Sequence, residues 1–100
     1  MPLAAIKPGK YLQVRYSVPR SRWIEYSVEA DRPVSTFILD ETGLEEFMKR
    51  GSDVYSYYGG FHRRRNHHQE LRLPFKGDWY LVIENEDDKE PAAVHYEVSG

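Results

Sequence analysis

Between positions 55 and 68 the chain reads Tyr-Ser-Tyr-Tyr-Gly-Gly-Phe-His-Arg-Arg-Arg-Asn-His-His. Tyr55, Tyr57, Tyr58 and Phe61 offer aromatic faces, and Arg63, Arg64 and Arg65 offer planar forks suited to phosphate or carboxylate. His62, His67 and His68 add groups that titrate near neutral pH. Stacking faces interleaved with positive charge suit single-stranded nucleic acid, another anionic ligand or a protein surface. The plainer reading is a solvated loop, or an edge strand guarded by charge. Successive side chains of a strand face opposite ways, so three consecutive arginines converge on one anion only if the segment is a loop.

Other chemistry finds less support. His67 and His68 would point apart on a strand, and no acid stands at helical i+4 spacing from them, so no metal and no cofactor are expected. The acidic stretch 84–90 lacks the regular spacing and glycine of a calcium loop. It reads as a solvated hairpin tip, able to pair with the basic segment of a neighbouring copy. No serine sits in a nucleophile elbow, no glycine-rich phosphate loop precedes a helix, and the chain has no cysteine. The expectation is therefore a protein that is not an enzyme.

The net charge of −2 is a sum of opposites. Residues 61–75 carry four arginines against one acid, whereas residues 77–100 carry seven acids against one lysine. With 100 residues the chain suffices for one domain, spanning 1–100, with residues 1–8 loosely ordered. No apolar run approaches the roughly 18–20 residues of a membrane span, and no stretch reads as a signal peptide, so a cytoplasmic location away from membranes is expected.

The elements that must position these side chains are mostly short strands. Residues 10–16 alternate, with Leu12, Val14 and Tyr16 on one side. Residues 23–29 alternate again, with Ile24, Tyr26 and Val28 inward, which turns Trp23 outward and makes it a candidate interface residue. Residues 30–33 read as the turn of a hairpin. Residues 34–39 are apolar on both faces and fit a central covered strand.

One helix is predicted over about residues 42–50. Thr42 and Glu45 form a capping box, Leu44, Phe47 and Met48 share a face, and Gly51 stands as a C-terminal cap. Further strands follow at 69–75, with Leu71, Leu73 and Phe75 inward, at 79–84, with Trp79 in the core, and at 92–98, with Val94, Tyr96 and Val98 inward. Six to eight short strands and one helix define an all-β fold, a compact antiparallel β-sandwich.

Residues 34–40 with the short Glu/Leu/Phe segment after them, and residues 71–85 (Leu-Arg-Leu-Pro-Phe-Lys-Gly-Asp-Trp-Tyr-Leu-Val-Ile-Glu-Asn), resemble Golgi-dynamics-type (GOLD-like) β-sandwich domains. There one strand ends in a Pro-x-x-Gly turn and the next carries an aromatic pair before an apolar run. Tyr57-Tyr58-Gly59-Gly60 followed by Leu71-x-x-Pro74-x-x-Gly77-x-Trp79-Tyr80 also resembles a small bacterial family of one-domain proteins. The resemblance covers roughly residues 34–98 and implies an adaptor or recognition module without catalysis. The expected function is binding through Tyr55, Tyr57, Tyr58, His62, Arg63, Arg64, Arg65 and His67, with a protein partner or by self-association. The alternatives are nucleic-acid or anion binding through Arg63, Arg64 and Arg65, and a structural subunit of a homo-oligomer that uses Trp23.

Overall fold

A computed structural model describes residues 3–50 and 57–100. Its axis is β3 (Arg22–Leu39), the longest strand. One edge of β3 is followed by the chain from residue 58 to residue 73. There β4 (Arg64–Leu73) pairs with the first half of β3, and residues 58–61 continue along the second. The opposite edge is shared. β6 (Ala92–Ser99) pairs with residues 25–30, and β5 (Gly77–Glu84) pairs with residues 35–39. β1 (Leu3–Ile6) lies outside β6, and β2 (Tyr11–Val18) lies outside β5. Every pairing is antiparallel, and the fold is all-β with one short helix, α1 (Glu41–Arg50).

The sheet curls because β3 bends. Between the pairs Glu29–Asn66 and Val34–Arg64, β3 advances five residues while β4 advances two. A bulge of this kind bends and twists its strand. The Tyr26 hydroxyl consequently lies 3.3 Å from the Thr36 hydroxyl, ten residues further on. In a flat strand those positions would stand roughly 33 Å apart. Residues 30–33 are therefore not the turn of a hairpin. The backbone stays extended through Pro33, and Asp31 Oδ1 accepts the Ala93 N–H at 2.9 Å just past the last β3–β6 pair, Ala30–Val94.

The concave face encloses the main core, in which Ile24, Tyr26, Val28 and Ile38 of β3 meet Leu71, Leu73, Trp79, Leu81, Ile83 and Val94. A second cluster lies on the convex face of the other half, where Leu44 and Phe47 of α1 cover Phe37, Leu39 and Val82. Residues 34–39 and 81–83 are buried on both sides because each side meets one of these clusters.

Three local expectations change. Leu3–Ile6, expected to be loose, is a strand: it pairs with residues 92–95, Ile6 is buried, and Asn85 Nδ2 donates to the Ile6 carbonyl. The helix is capped by Asp40 and not by Thr42. Asp40 Oδ1 accepts the Gly43 N–H at 2.7 Å, and its carbonyl accepts the Leu44 N–H, which fits the strong preference of Asp for this position. Met48 is exposed, because Gly43, Leu44 and Phe47 form the buried face instead. The expected cap Gly51 lies outside the described residues.

Candidate functional site

The segment from Tyr57 to Arg64 is the continuation of an edge strand. Tyr58 N–H donates to the Ile38 carbonyl, Ile38 N–H to Gly59, and Thr36 N–H to Phe61, all at 2.8–2.9 Å. The glycine pair makes this approach possible. Gly60 has φ +132, and a Cβ there would fall 2.0 Å from the Thr36 carbonyl oxygen.

Beneath this strip lies a buried polar network. His67 Nε2–H donates to the carbonyls of Val34 and Arg64 at 2.9 and 2.8 Å, so Nδ1 is the bare nitrogen and accepts from the Thr36 hydroxyl at 3.0 Å. Thr36 Oγ1 accepts the Phe61 N–H, while Gln69 Oε1 accepts from both the Tyr26 hydroxyl and the Gly60 N–H. Burial pushes the His67 pKa below its ordinary value, although the two carbonyls act in the opposite sense. His67, named above as a binding residue, is thus 2% exposed and serves the interior. The strand parity of Leu71 and Leu73, carried back through the polar run, puts Gln69 and His67 inside.

Aromatic rings flank the strip on both faces of the sheet, Trp79 belonging to the concave core and Phe37 to the convex cluster. Tyr58 meets Trp79 edge-on with ring centres 4.7 Å apart, and Phe75 packs on Trp79 at 4.9 Å with its ring tilted by 38°. Tyr57 and His62 both meet Phe37 edge-on, at 5.8 and 5.4 Å. Trp79 and Phe37 are fully buried, whereas Tyr57, Tyr58 and Phe75 are 45%, 42% and 45% exposed. The Tyr58 hydroxyl donates to Asp40 Oδ2 at 3.3 Å; burial, and then the Asp40 charge, raise its pKa. Phe75, an inward residue by strand alternation, lies outside the core. β4 ends at Leu73, and beyond Pro74 the ring swings out while its carbonyl accepts the Trp79 indole N–H at 3.1 Å. Tyr55 lies outside the described residues.

The arginines do not form one cradle. Arg64 and Arg65 are successive residues of β4 and point to opposite sides. The Arg64 guanidinium lies 4.3 Å over the Phe61 ring. Arg63 adopts φ +52, with its N–H on Ser35 Oγ and its Nε 3.3 Å from Glu86. The acidic turn therefore pairs within its own chain: Glu86 also accepts the Ser35 hydroxyl, and Asp87 sits 3.3 Å from Arg32. Trp23 lies well away from this network in sequence and is 60% exposed, on the convex face of β3.

Among the described residues no helix is long and apolar enough to cross a membrane. Compared with protein-family models and with curated proteins, the chain matches none.

Proposed function

We propose that the protein is a non-enzymatic recognition module that binds a protein partner through Tyr57, Tyr58, His62, Arg63 and Phe75. The observation that carries this reading is the set of half-exposed rings that flank the strip of residues 58–61 on both faces, Tyr58 and Phe75 packed against the buried Trp79 on one and Tyr57 against the buried Phe37 on the other. Rings fixed before binding lose little side-chain entropy on contact, and tyrosine and arginine are enriched among the residues that dominate interfaces. The resemblance to adaptor-type sandwiches supports the same reading.

A photo-crosslinking residue placed at Tyr57 or Phe75 tests it. One specific adduct is expected from either position, lost when Tyr58→Ala is added, while the same crosslinker at Gln13, exposed on β2, gives none. Equal adducts from all three positions would sink the proposal. The stacking of Arg64 on Phe61 favours a second reading, an anionic polymer. A labelled single-stranded oligonucleotide that bound at low salt and was released by Arg63/64/65→Ala would put that reading first.

A further inference from the structure

α1 covers the convex face of the β5-paired half of β3, whereas among the described residues no element lies on the convex face formed by β1, β6, β4 and the first half of β3. The register places its side chains in rows. Along β3 run Trp23, Glu25, Ser27 and Glu29; Arg72, Glu70, His68 and Asn66 of β4 lie opposite them, in that order. On the other side Ser99, Glu97 and His95 of β6 face Glu25, Ser27 and Glu29. Glu25 and Glu70 are therefore direct cross-strand neighbours of like charge, an arrangement that costs stability. Among the described residues only His68, 3.5 Å from Glu25, stands as an ion-pair partner of these carboxylates, and then only when protonated. At one end an open cavity of about 250 Å³ is lined by Trp23, Glu25, Glu70 and Ser99.

From this face we infer a second docking surface, one that takes a basic polypeptide segment, with an arginine or lysine of the partner seated between the Trp23 ring and the Glu25–Glu70 pair. Charge complementarity selects this occupant. The four carboxylates Glu25, Glu29, Glu70 and Glu97 outnumber the basic side chains of the rows, and a cation between Glu25 and Glu70 relieves their repulsion while the indole face attracts it. A second copy laid on the same face about a two-fold axis would bring like carboxylates together, which disfavours it. The surface is separate from the ring cluster of Tyr57, Tyr58 and Phe75, so one can fail without the other.

The test uses the whole chain and fluorescein-labelled octa-arginine at low salt. Trp23→Ala is expected to weaken binding about threefold. Glu25→Gln with Glu70→Gln should weaken it about five- to tenfold. Asp88→Asn with Glu90→Gln, on the exposed acidic turn, should leave it unchanged. Amide shifts on titration should centre on Trp23, Glu25, Glu70 and Glu97. No binding at low salt, equal weakening by the Asp88/Glu90 variant, or shifts centred on residues 84–90 would each overturn the inference. So would sedimentation showing a wild-type dimer that Trp23→Ala dissolves, since the occupant would then be a second copy.

Discussion

In β3, residues 34–39 are buried on both faces, whereas residues 23–29 bury one face and leave the other to solvent. The first stretch lies under α1, with Leu44 and Phe47 against Phe37 and Leu39, and its free edge is taken by residues 58–61. The second is paired on both edges, by β4 and β6, but its convex face carries Trp23, Glu25 and Glu29 with no helix above them among the described residues. One continuous strand thus serves two environments, and the bend at residues 30–33 is where one gives way to the other. Covering by the chain itself packs the rings of Phe47, Tyr57 and His62 around Phe37. Leaving a face uncovered preserves a surface for something else.

The sharpest way to break this contrast is to truncate one aromatic from each stretch. Phe37→Ala removes a ring packed against Phe47, Tyr57 and His62 and should cost about 3–5 kcal/mol by urea denaturation. Trp23→Ala, of larger volume but exposed, should cost no more than about 0.5 kcal/mol. Comparable losses would mean that the face around Trp23 is as well packed as the one beneath α1.

Next in size is the network that fastens the strip of residues 58–61. Thr36→Val keeps the shape but leaves the Phe61 N–H and His67 Nδ1 without their partner, at a cost of about 1–3 kcal/mol. Hydrogen exchange should quicken at the amide of Phe61 and stay unchanged at that of Ser27. Uniform quickening would show that the strip is not a separable layer.

The contrast also explains what the sequence made legible. Alternation disclosed the inward Ile24, Tyr26 and Val28 and the outward Trp23, because one face of that stretch meets water and the other the core. The double-sided burial of residues 34–39 was readable from its β-branched and aromatic composition, although Ser35 and Thr36 interrupt the apolar residues. Residues 57–68 were not. A polar, glycine-interrupted composition reads as a loop, yet Thr36 and His67 bond each other inside, Gln69 accepts from Tyr26 and Gly60, and Gly60 is small for close backbone contact. The continuity of β3 through Pro33 was hidden for a related reason: a bulge and a hairpin turn use the same residue types.

His67 yields a prediction of sign. Its folded-state pKa lies below the ordinary value, chiefly through burial. As pH falls through about 6.5 the unfolded chain takes up a proton that the folded chain resists, so the unfolded state binds more protons and stability declines. The urea midpoint should therefore drop between pH 7.5 and 5.5, and His67→Gln should flatten that slope whatever it does to stability at neutral pH. An undiminished slope in the variant would show that the effect does not arise from His67.

The smallest effect concerns the open face itself. Glu70 stands directly across the ladder from Glu25, and neither needs the other for any hydrogen bond of the core. Glu70→Gln removes the repulsion while leaving the contact between His68 and Glu25 in place. It should stabilise the fold by a few tenths of a kcal/mol, an amount that shrinks with added salt. The matched change on the covered side, Val82→Thr beneath α1, introduces a hydroxyl into an apolar cluster and should destabilise by about 1–3 kcal/mol. A face that grows more stable when its charge is reduced carries that charge at a cost to folding. If Glu70→Gln instead destabilises, the carboxylates are part of the scaffold, and the case for a cationic partner loses its physical basis.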